Sequence, residues 1–535
     1  MWGWIEVSAS IKFASLFICS FLLLAGCGAS PDMVETSESA IESSEDVETE
    51  AEVTDGLREA EQVETYPCDT SEQDLLTTVA DKSWNSFIVD CPVDTQTSAP
   101  ALPKMLLSSN LEPCQLVEVN DDRKRYDTGP IPVLTVGYPR QERRLPNANY
   151  KVIVIPVDWP DLKDAIAPED FLVEEAKMYS DWYLTYSRGK VRLDVEVYPE
   201  WIELPVESDM FSQSEFEQNA NQWGESNVAK LNYWWTTALE AADPFVDFTD
   251  VDMVMFVAPR HQEVFSEFNL WPDGTKTFQT DEGPIKRGFT SGEFHFRAEN
   301  SLWYFWVHET LHYFSIPDLY WVDLNSFRAQ PQTLPAPNYG YDVMTFNQMS
   351  RLSSWFMWLL EWTEDYEMAC LTEDTFSEGS IEIASESIND ERTKGVMLKL
   401  SDHELLMIES HRESKFDFPD VRSLNGVLVQ YLNTEIPHGQ GAMTLIAPKG
   451  RTLLEIHQQG GNRTTVIDGV LYEGNSIDIA GYRITVSESL VDSDIVSFSR
   501  VDADSLTDEP NFVCISRENR ERTGIDGPLG CPLNF

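Results

Sequence analysis

The chain has 535 residues, of which 42% are hydrophobic, and carries a formal net charge of −53 at pH 7. This length allows roughly two to four domains, and the apolar content is ample for buried cores. The excess of carboxylates argues against nucleic acid and anionic lipid surfaces as direct partners, because both repel negative charge.

Residues 1–27 have the pattern of an export signal. The apolar run from Phe13 to Leu24 is too short to cross a bilayer as a helix. The string LAGC that ends at Cys27 resembles a bacterial lipobox, in which cleavage before Cys27 frees its thiol for diacylglycerol attachment. Several acyl chains anchor a protein stably. We therefore expect a lipoprotein held at the cell envelope, or released from it; the alternative is an ordinary secretory signal with a chance cysteine.

Residues 28–66 are rich in Glu, Asp, Ser and Thr and contain one basic residue, Arg58. They show few aromatic residues and no periodicity, so we expect a disordered acidic linker that separates the membrane from the folded body. Self-repulsion would keep this linker extended.

Residues 67–149 form a cysteine-containing region that is a candidate pro-region. Its basic strings at Arg123–Arg125 and Arg143–Arg144 are either processing points or solvated surface patches. The chain has six cysteines beyond Cys27, and six cysteines allow fifteen disulfide connectivities. Cys514 and Cys531 flank a tail rich in Gly and Pro and are one candidate pair.

Residues 150–370 are predicted to form the catalytic domain. Buried or alternating apolar runs predict strands, and longer periodic stretches predict helices. The sequence therefore predicts, in order, a strand at Lys151–Val157, a helix at Pro168–Ser187, a strand at Val191–Val197, a helix at Asn221–Ala242 and a strand at Asp252–Ala258. Alternating strands and helices before a buried helix suit the mixed α/β architecture of zinc proteases.

The most informative stretch is His308-Glu309-Thr310-Leu311-His312, an H-E-x-x-H pattern. Residues four apart share one face of a helix, so both imidazoles can reach one metal ion. Glu309 lies beside them as a candidate general base toward water. Ser301 is a plausible N-cap, and neither Pro nor Gly interrupts the next fourteen residues. The alternative is a structural histidine pair on a core helix.

A hydrolytic zinc site needs three protein ligands and one open position. Asp318 lies six residues past His312, where metzincins place their third ligand, and its carboxylate is an acceptable zinc ligand. The same pattern has Gly at 315, where the helix ends and the backbone often takes a positive φ. This chain has Ser315 there, which puts strain on the turn.

The string HETLHYFSIPDLY, from His308 to Tyr320, resembles the active-site segment of the immune inhibitor A family of secreted bacterial zinc metalloproteases. The resemblance extends over roughly Tyr150 to Trp362 and rests on several further segments. These are Tyr150–Asp161, Tyr183–Pro205, Tyr341–Met344 and Leu352–Trp362.

The resemblance implies zinc ligands His308, His312 and Asp318, with Glu309 as base and Met344 in a Met-turn beneath the metal. It implies a zincin- or metzincin-like catalytic domain, with a mixed sheet and an active-site helix, in an α+β protein. The chain departs from the family pattern where Leu311, Ser315 and Glu361 stand in place of Gly.

Beyond Cys370, short alternating runs separated by turn residues predict a C-terminal β domain over residues 371–535, of sandwich type. The predicted runs are Val396–Leu400, Glu404–Glu409, Gly426–Tyr431, Tyr482–Val486 and Ile495–Phe498.

Together these patterns predict a membrane-anchored, monomeric zinc endopeptidase that takes protein or peptide substrates and one catalytic Zn²⁺. The abundant carboxylates would also permit Ca²⁺, although no EF-hand-like string is present. Two alternatives stay open: a zinc hydrolase whose third ligand is Glu361 instead of Asp318, and a non-catalytic surface adhesin or binding lipoprotein. Tyr320 and Tyr341 are further candidates for polarising a peptide carbonyl, against simple aromatic packing.

Overall fold

A computed structural model describes residues 64–67, 86–90, 102–105, 110–118, 136–138, 145–211, 225–259, 277–292, 302–319, 322–323, 328–329, 341–345, 350–417, 424–436, 441–448, 452–455, 457–459, 462–464, 469–501 and 512–514. The chain separates into two units, Met1–Glu61 and Gln62–Phe535, and every described residue lies in the second. The predicted export signal, with Cys27, lies outside the described residues.

The helices are α1 (Glu169–Tyr186), α2 (Glu225–Ala242), α3 (Leu302–Tyr313) and α4 (Ser354–Leu359), and short 3₁₀ turns lie at Glu112–Cys114, Ser208–Phe211, Val343–Thr345 and Asp365–Glu367. The strands are β1 (Glu64–Pro67), β2 (Ser86–Asp90), β3 (Asn149–Asp158), β4 (Arg192–Val197), β5 (Ile202–Glu203), β6 (Met253–Val257), β7 (Phe278–Gln279), β8 (Pro284–Ile285), β9 (Gly288–Ser291), β10 (Val322–Asp323), β11 (Arg328–Ala329), β12 (Met368–Leu371), β13 (Gly379–Ala384), β14 (Gly395–Lys399), β15 (Glu404–His411), β16 (Gly426–Asn433), β17 (Met443–Pro448), β18 (Thr452–Glu455), β19 (His457–Gln459), β20 (Asn462–Thr464), β21 (Ser476–Ile479), β22 (Tyr482–Ser489), β23 (Ser493–Arg500) and β24 (Phe512–Cys514).

The central sheet has the order β4-β3-β6-β9, with β5 also paired to β3. Every described pair in this sheet is parallel, so the expectation of a mixed sheet is wrong for these strands. Parallel neighbours need a crossover connection. Here α1 joins β3 to β4, and α2 lies between β5 and β6.

Both faces of this sheet are covered, which explains why β3 and β6 are apolar almost throughout. Val152 and Val154 of β3 belong to a core that includes residues of α1 and α3. Ile153 and Ile155 point to the other face, into a core built on α2 with Trp234 and Trp235. The predicted strands and helices of residues 150–258 are thus confirmed wherever the structure describes them.

The described residues beyond Cys370 form strands and no helix, as predicted. A six-stranded sheet has the order β12-β14-β15-β16-β17-β24, and a four-stranded sheet has the order β13-β23-β22-β21. The two sheets share one hydrophobic core, to which Ile383 and Val496 contribute from the smaller sheet and Leu406 from the larger. All five predicted runs correspond to strands, and the molecule as a whole has an α+β fold.

The cysteine-containing N-terminal region is joined to strands of the C-terminal part. Strand β1 pairs with β2, and β2 pairs with β18 of the C-terminal part. Cys114 and Cys370 form a disulfide, which ties this region covalently to β12. The prediction of disorder over residues 28–66 is wrong at its end, since strand β1 begins at Glu64 and pairs with β2. The candidate pair of Cys514 with Cys531 lies outside the described side chains.

No helix within the described ranges has both the length and the apolar character that a membrane span requires.

Candidate metal centre

Helix α3 is buried along most of its length, as the sequence predicts. The side chains from Leu302 to Val307 are at most 4% exposed. Two tyrosines of α1 hold the helix: the Tyr183 hydroxyl donates to the Val307 carbonyl at 3.1 Å, and the Tyr179 hydroxyl shares a 2.6 Å hydrogen bond with Thr310 Oγ1. These bonds fix which face of α3 points away from the core.

The last residue of α3 is anchored to the edge of the central sheet. The Tyr313 hydroxyl accepts from the Gly288 N–H at 2.8 Å and donates to the Gly288 carbonyl at 3.0 Å. A Cβ at position 288 would lie 2.2 Å from the Val254 carbonyl oxygen. Glycine is therefore required at the point where β9 meets both β6 and α3.

The N-terminal turn of α3 is capped from another helix. Ser301, the predicted N-cap, lies outside the described residues. Among those described, Glu175 of α1 accepts a hydrogen bond from the Trp303 N–H at 2.8 Å, so a carboxylate meets the positive end of the helix. Burial nevertheless outweighs this hydrogen bond and raises the pKa of Glu175 to about 7.

Helix α3 ends in a Schellman motif, and this motif shapes the candidate site. The Ile316 N–H donates to the Leu311 carbonyl at 3.2 Å, and the Ser315 N–H donates to the His312 carbonyl at 2.9 Å. These are the two bonds that define the motif, whose penultimate position is usually Gly in the left-handed region. Ser315 has a φ of 69°, which confirms the expected strain. The tight turn brings Asp318 back toward the histidines.

Three side chains converge on one point. His308 Nε2 lies 3.1 Å from Asp318 Oδ1, and His312 Nε2 lies 3.2 Å from the same oxygen. The two imidazole rings are nearly perpendicular, with centroids 4.9 Å apart. His308 is fully buried, whereas the side chains of His312 and Asp318 are each 12% exposed. The cluster therefore opens to solvent on the His312 side.

The other nitrogen of each imidazole contacts a backbone carbonyl. His308 Nδ1 lies 3.0 Å from the Val343 oxygen, and His312 Nδ1 lies 2.8 Å from the Ile316 oxygen. A carbonyl only accepts, so each Nδ1 must carry the hydrogen. In the neutral rings both Nε2 lone pairs then point at the shared centre, which is the orientation that metal-binding histidines adopt.

Electrostatics differ between the two histidines. Burial lowers the pKa of His308, and the nearby Asp318 only partly offsets this. Burial also acts to lower the pKa of His312, but the Asp318 and Glu309 carboxylates outweigh it and raise the pKa to about 9.

Glu309 belongs to the same cluster. Its carboxylate and the two histidines offer ligand atoms that all lie within 4.8 Å of one another. Outside this cluster, no set of three His, Cys, Asp or Glu side chains among the described residues comes as close. The arrangement combines two nitrogen ligands and one carboxylate ligand with a further carboxylate, that of Glu309, which is the residue type that serves as general base toward water in zinc hydrolases.

The donor set fits Zn²⁺. Zinc bonds of about 2.0–2.2 Å in a tetrahedral arrangement place neighbouring ligand atoms about 3.3 Å apart. The two nitrogen–oxygen separations, 3.1 and 3.2 Å, are close to this value. His308, His312 and Asp318 would hold the ion and leave one position open.

The segment that holds His308 is the one predicted as a Met-turn. The Met344 carbonyl accepts from the Leu319 N–H at 2.9 Å, which ties this segment to the residue after Asp318. Asp342 accepts from the Met344 N–H at 2.9 Å and from the Ser353 N–H at 2.8 Å. Met344 itself is fully buried. The segment thus fixes the Val343 carbonyl and, through it, the His308 ring.

A buried ionic cluster also contacts this segment. Arg351 donates to Glu386 at 2.9 Å, to Glu409 at 2.9 Å and to the Tyr341 carbonyl at 3.2 Å. The other Glu409 oxygen accepts from the Ser354 N–H at 2.7 Å, at the start of α4. Because Glu409 lies on β15 and Glu386 follows β13, the C-terminal sheets help to hold the segment that orients His308.

The structure brings His308, Glu309, His312 and Asp318 together but places Glu361 elsewhere. Glu361 follows α4, lines a different cleft, and accepts at its carbonyl from Lys190. Tyr341 is fully buried, and its hydroxyl accepts from the Gly469 N–H at 3.1 Å, so it packs in the core. Tyr320 lies outside the described residues.

The sequence does not reveal Val343, Ile316, Arg351 or Glu175 as supporting residues. Two of them act through backbone carbonyls, which carry no residue-type signal. Asp342 could have been predicted from the sequence, because it belongs to the Tyr-Asp-Val-Met string that predicts the Met-turn. Arg351 and Glu175 act across long sequence separations that a single sequence does not show.

No family model matches the chain, and a search of curated proteins finds no significant match.

Proposed function

We propose that this protein is a zinc-dependent metalloendopeptidase that hydrolyses peptide bonds in extracellular proteins. One observation carries the proposal: His308 Nε2 and His312 Nε2 meet Asp318 Oδ1 while their Nδ1 atoms are held by backbone carbonyls. Glu309 stands beside this donor set, within the same 4.8 Å group as the histidines.

A bound Zn²⁺ would supply Lewis acidity toward the scissile carbonyl and lower the pKa of water. Glu309 takes a proton from the attacking water, whose oxygen adds to the carbonyl carbon. Glu309 then gives that proton to the amide nitrogen as the C–N bond breaks. The products are a carboxylate and an amine. Val343 and Ile316 keep the imidazole rings in one tautomer throughout.

The proposal extends to the family, the fold type and the cellular location of the protein. The parallel sheet with α3 beneath the cluster is compatible with a zincin-like domain, and the motifs from Tyr150 to Trp362 favour an immune inhibitor A-like protease. The lipobox ending at Cys27 favours attachment to the cell envelope, which would present the site to proteins outside the cell.

Metal analysis of the purified full-length chain tests the proposal. We expect about one zinc per chain, since structural and catalytic zinc sites bind tightly enough to survive purification. His308→Ala and Asp318→Ala should lose the metal, and Glu361→Ala should retain it. Circular dichroism of each variant confirms that it is folded.

Two results would change the conclusion. Zinc retained by Asp318→Ala would favour a hydrolase with a different third ligand. No zinc above background, in folded protein prepared without chelator, would favour a non-catalytic binding lipoprotein.

A further inference from the structure

Residues 102–105 and 110–118 of the N-terminal region, which we call the packed segment, lie against the C-terminal sheets. Its first part pairs with β13, the end strand of the four-stranded sheet. The Met105 N–H donates to the Ser380 carbonyl at 2.9 Å, and the Ser380 N–H donates to the Pro103 carbonyl at 2.8 Å. The Ser380 hydroxyl also donates to the Leu102 carbonyl at 3.0 Å. The packed segment thus satisfies backbone groups at the edge of this sheet.

The first residue of β13 is a glycine where the packed segment comes closest. A Cβ at Gly379 would lie 2.3 Å from Met105 Cγ and 2.7 Å from the Pro103 carbonyl oxygen. Real Cβ atoms do not approach other heavy atoms this closely, and a backbone oxygen cannot move aside as the end of a long side chain can. Strand β13 therefore accommodates the packed segment only because position 379 has no side chain.

The second part of the packed segment contributes to the hydrophobic core. Leu111, Cys114 and Leu116 are at most 5% exposed. They belong to the same core as Val396 and Met397 of β14. Loss of the packed segment would bring the apolar groups that contact these side chains into water, which is unfavourable.

The Cys114–Cys370 disulfide holds the packed segment covalently. Cys114 is fully buried and Cys370 is 2% exposed, and thiol–disulfide exchange needs access to a sulfur. The native fold therefore protects this bond. The two cysteines are 256 positions apart, and the candidate metal centre, from His308 to Asp318, lies between them. A cut anywhere within this loop leaves the two fragments joined by the disulfide.

A pro-region that is shed after one cut would have to give up all of these contacts. The basic strings Arg123–Arg125 and Arg143–Arg144 lie outside the described residues, but both fall between Cys114 and Cys370 in the sequence. We propose that the packed segment is a permanent part of the mature protein. A consequence, which rests on the proposed lipid attachment at Cys27, is that a cut within the loop leaves the metal centre joined to its envelope anchor.

Mass spectrometry of the mature protein tests this proposal. The full-length chain is exported in a bacterial host, where disulfides form, and is then purified, alkylated in denaturant without reduction, and digested. We expect one linked peptide pair that carries Cys114 and Cys370, and reduction should split this pair into two peptides.

Two results of this measurement would overturn the proposal. One is a mature protein that lacks the Cys114 peptide and has an alkylated Cys370, because the region would then have been removed. The other is a link between Cys370 and a different cysteine. The measurement involves neither zinc nor peptide hydrolysis, so its outcome is independent of the proposed protease activity.

The rate at which dithiothreitol reduces this disulfide in folded protein tests the packing. We expect slow reduction of the native chain, because both sulfurs are buried. Gly379→Ala should displace the packed segment and accelerate reduction by about tenfold or more, the factor that corresponds to a modest penalty for overpacking.

Gly474→Ala is the matched control for this variant. A Cβ at Gly474 would meet no atom within 4 Å, but the φ of 83° there makes the substitution destabilising in itself. The disulfide of this control should be reduced at nearly the native rate. Equal rates in Gly379→Ala and Gly474→Ala would overturn the proposal, as would reduction of the native chain as fast as that of the chain unfolded in urea.

Discussion

Two clusters of charged and titratable side chains both contact the segment Tyr341–Thr345. In one, Arg351 is fully buried between Glu386 and Glu409, so charges of opposite sign meet. In the other, two imidazole nitrogens face one oxygen of Asp318, and Glu309 offers a ligand atom within 4.8 Å of those of the two histidines. The first cluster joins charges of opposite sign, whereas the second brings together imidazole nitrogens and carboxylates, which are the side chains that bind zinc in proteins.

This difference separates a structural cluster from a candidate catalytic one. Buried ion pairs hold a fold together only while both partners are present. Converging ligands with fixed tautomers and an open side are typical of functional sites. Changes in the ionic cluster should therefore act first on stability, and changes in the metal cluster first on activity.

The largest effect should come from Glu309→Gln in the metal cluster. Loss of the general base should lower kcat for casein hydrolysis by about 10²–10⁴-fold, with zinc content unchanged. Fluorescent casein cleavage and metal analysis of the same sample measure both quantities. Glu361→Gln, at a carboxylate outside the cluster, is the control and should keep full activity. Equal activity of the Glu309→Gln variant would remove the main support for an enzyme.

Arg351→Met in the ionic cluster should destabilise the protein by about 3–5 kcal/mol, because it leaves Glu386 and Glu409 buried without their partner. Urea unfolding of the native chain and the variant measures this difference. The triple variant Arg351→Met, Glu386→Gln, Glu409→Gln removes all three charges and should regain much of the loss. A triple variant no more stable than Arg351→Met would show that the charges are not what makes the single change costly.

Glu175 is a partly buried carboxylate without an ion-pair partner among the described residues, and it should make stability depend on pH. Its pKa rises from the ordinary value of 4.5 to about 7 on folding, so the folded state holds the proton more tightly. This contribution is fully present below pH 4.5 and is lost as pH rises through about 7.

Glu175→Gln should therefore match the native chain near pH 4 and exceed its stability at pH 8 by up to about 3 kcal/mol. The amide oxygen can still accept from the Trp303 N–H. Urea unfolding at both pH values measures this, with the exposed Glu200→Gln as the control. If the unfolding free energies of Glu175→Gln and the native chain differed equally at the two pH values, the raised pKa of Glu175 would be contradicted.

The smallest effect should come from Ser315→Gly. A left-handed residue other than Gly carries a strain of about 1–2 kcal/mol, and the greater freedom of Gly in the unfolded chain offsets part of the gain. We expect a net stabilisation of about 0.5–1 kcal/mol. Glu361→Gly, at a φ of 59° in an equivalent Schellman turn, should behave alike, and Ser315→Ala should not stabilise.

The sequence predicted most local elements of the described regions. A continuous apolar run such as Met253–Val257 indicates a strand that is buried on both faces. An alternating run such as Tyr482–Ser489 indicates a strand that is buried on one face. The sequence did not predict that the central sheet is parallel throughout, since strand direction depends on connections rather than on the strand residues. The Cys114–Cys370 disulfide was one of many possible pairings.

For the candidate site, the chain by itself determined the donor types and their local spacing. The i, i+4 relation of His308 and His312 follows from helix geometry, and the family resemblance pointed to Asp318. The metal and the activity stay predictions.

The tertiary structure decided what makes these donors a site. The chain turns at Ser315, so that Asp318 reaches both imidazoles. The Val343 and Ile316 carbonyls contact the Nδ1 atoms of these rings, and Glu361 lies outside the group of candidate ligands. These contacts depend on backbone groups and distant segments, whose positions only the packed fold specifies.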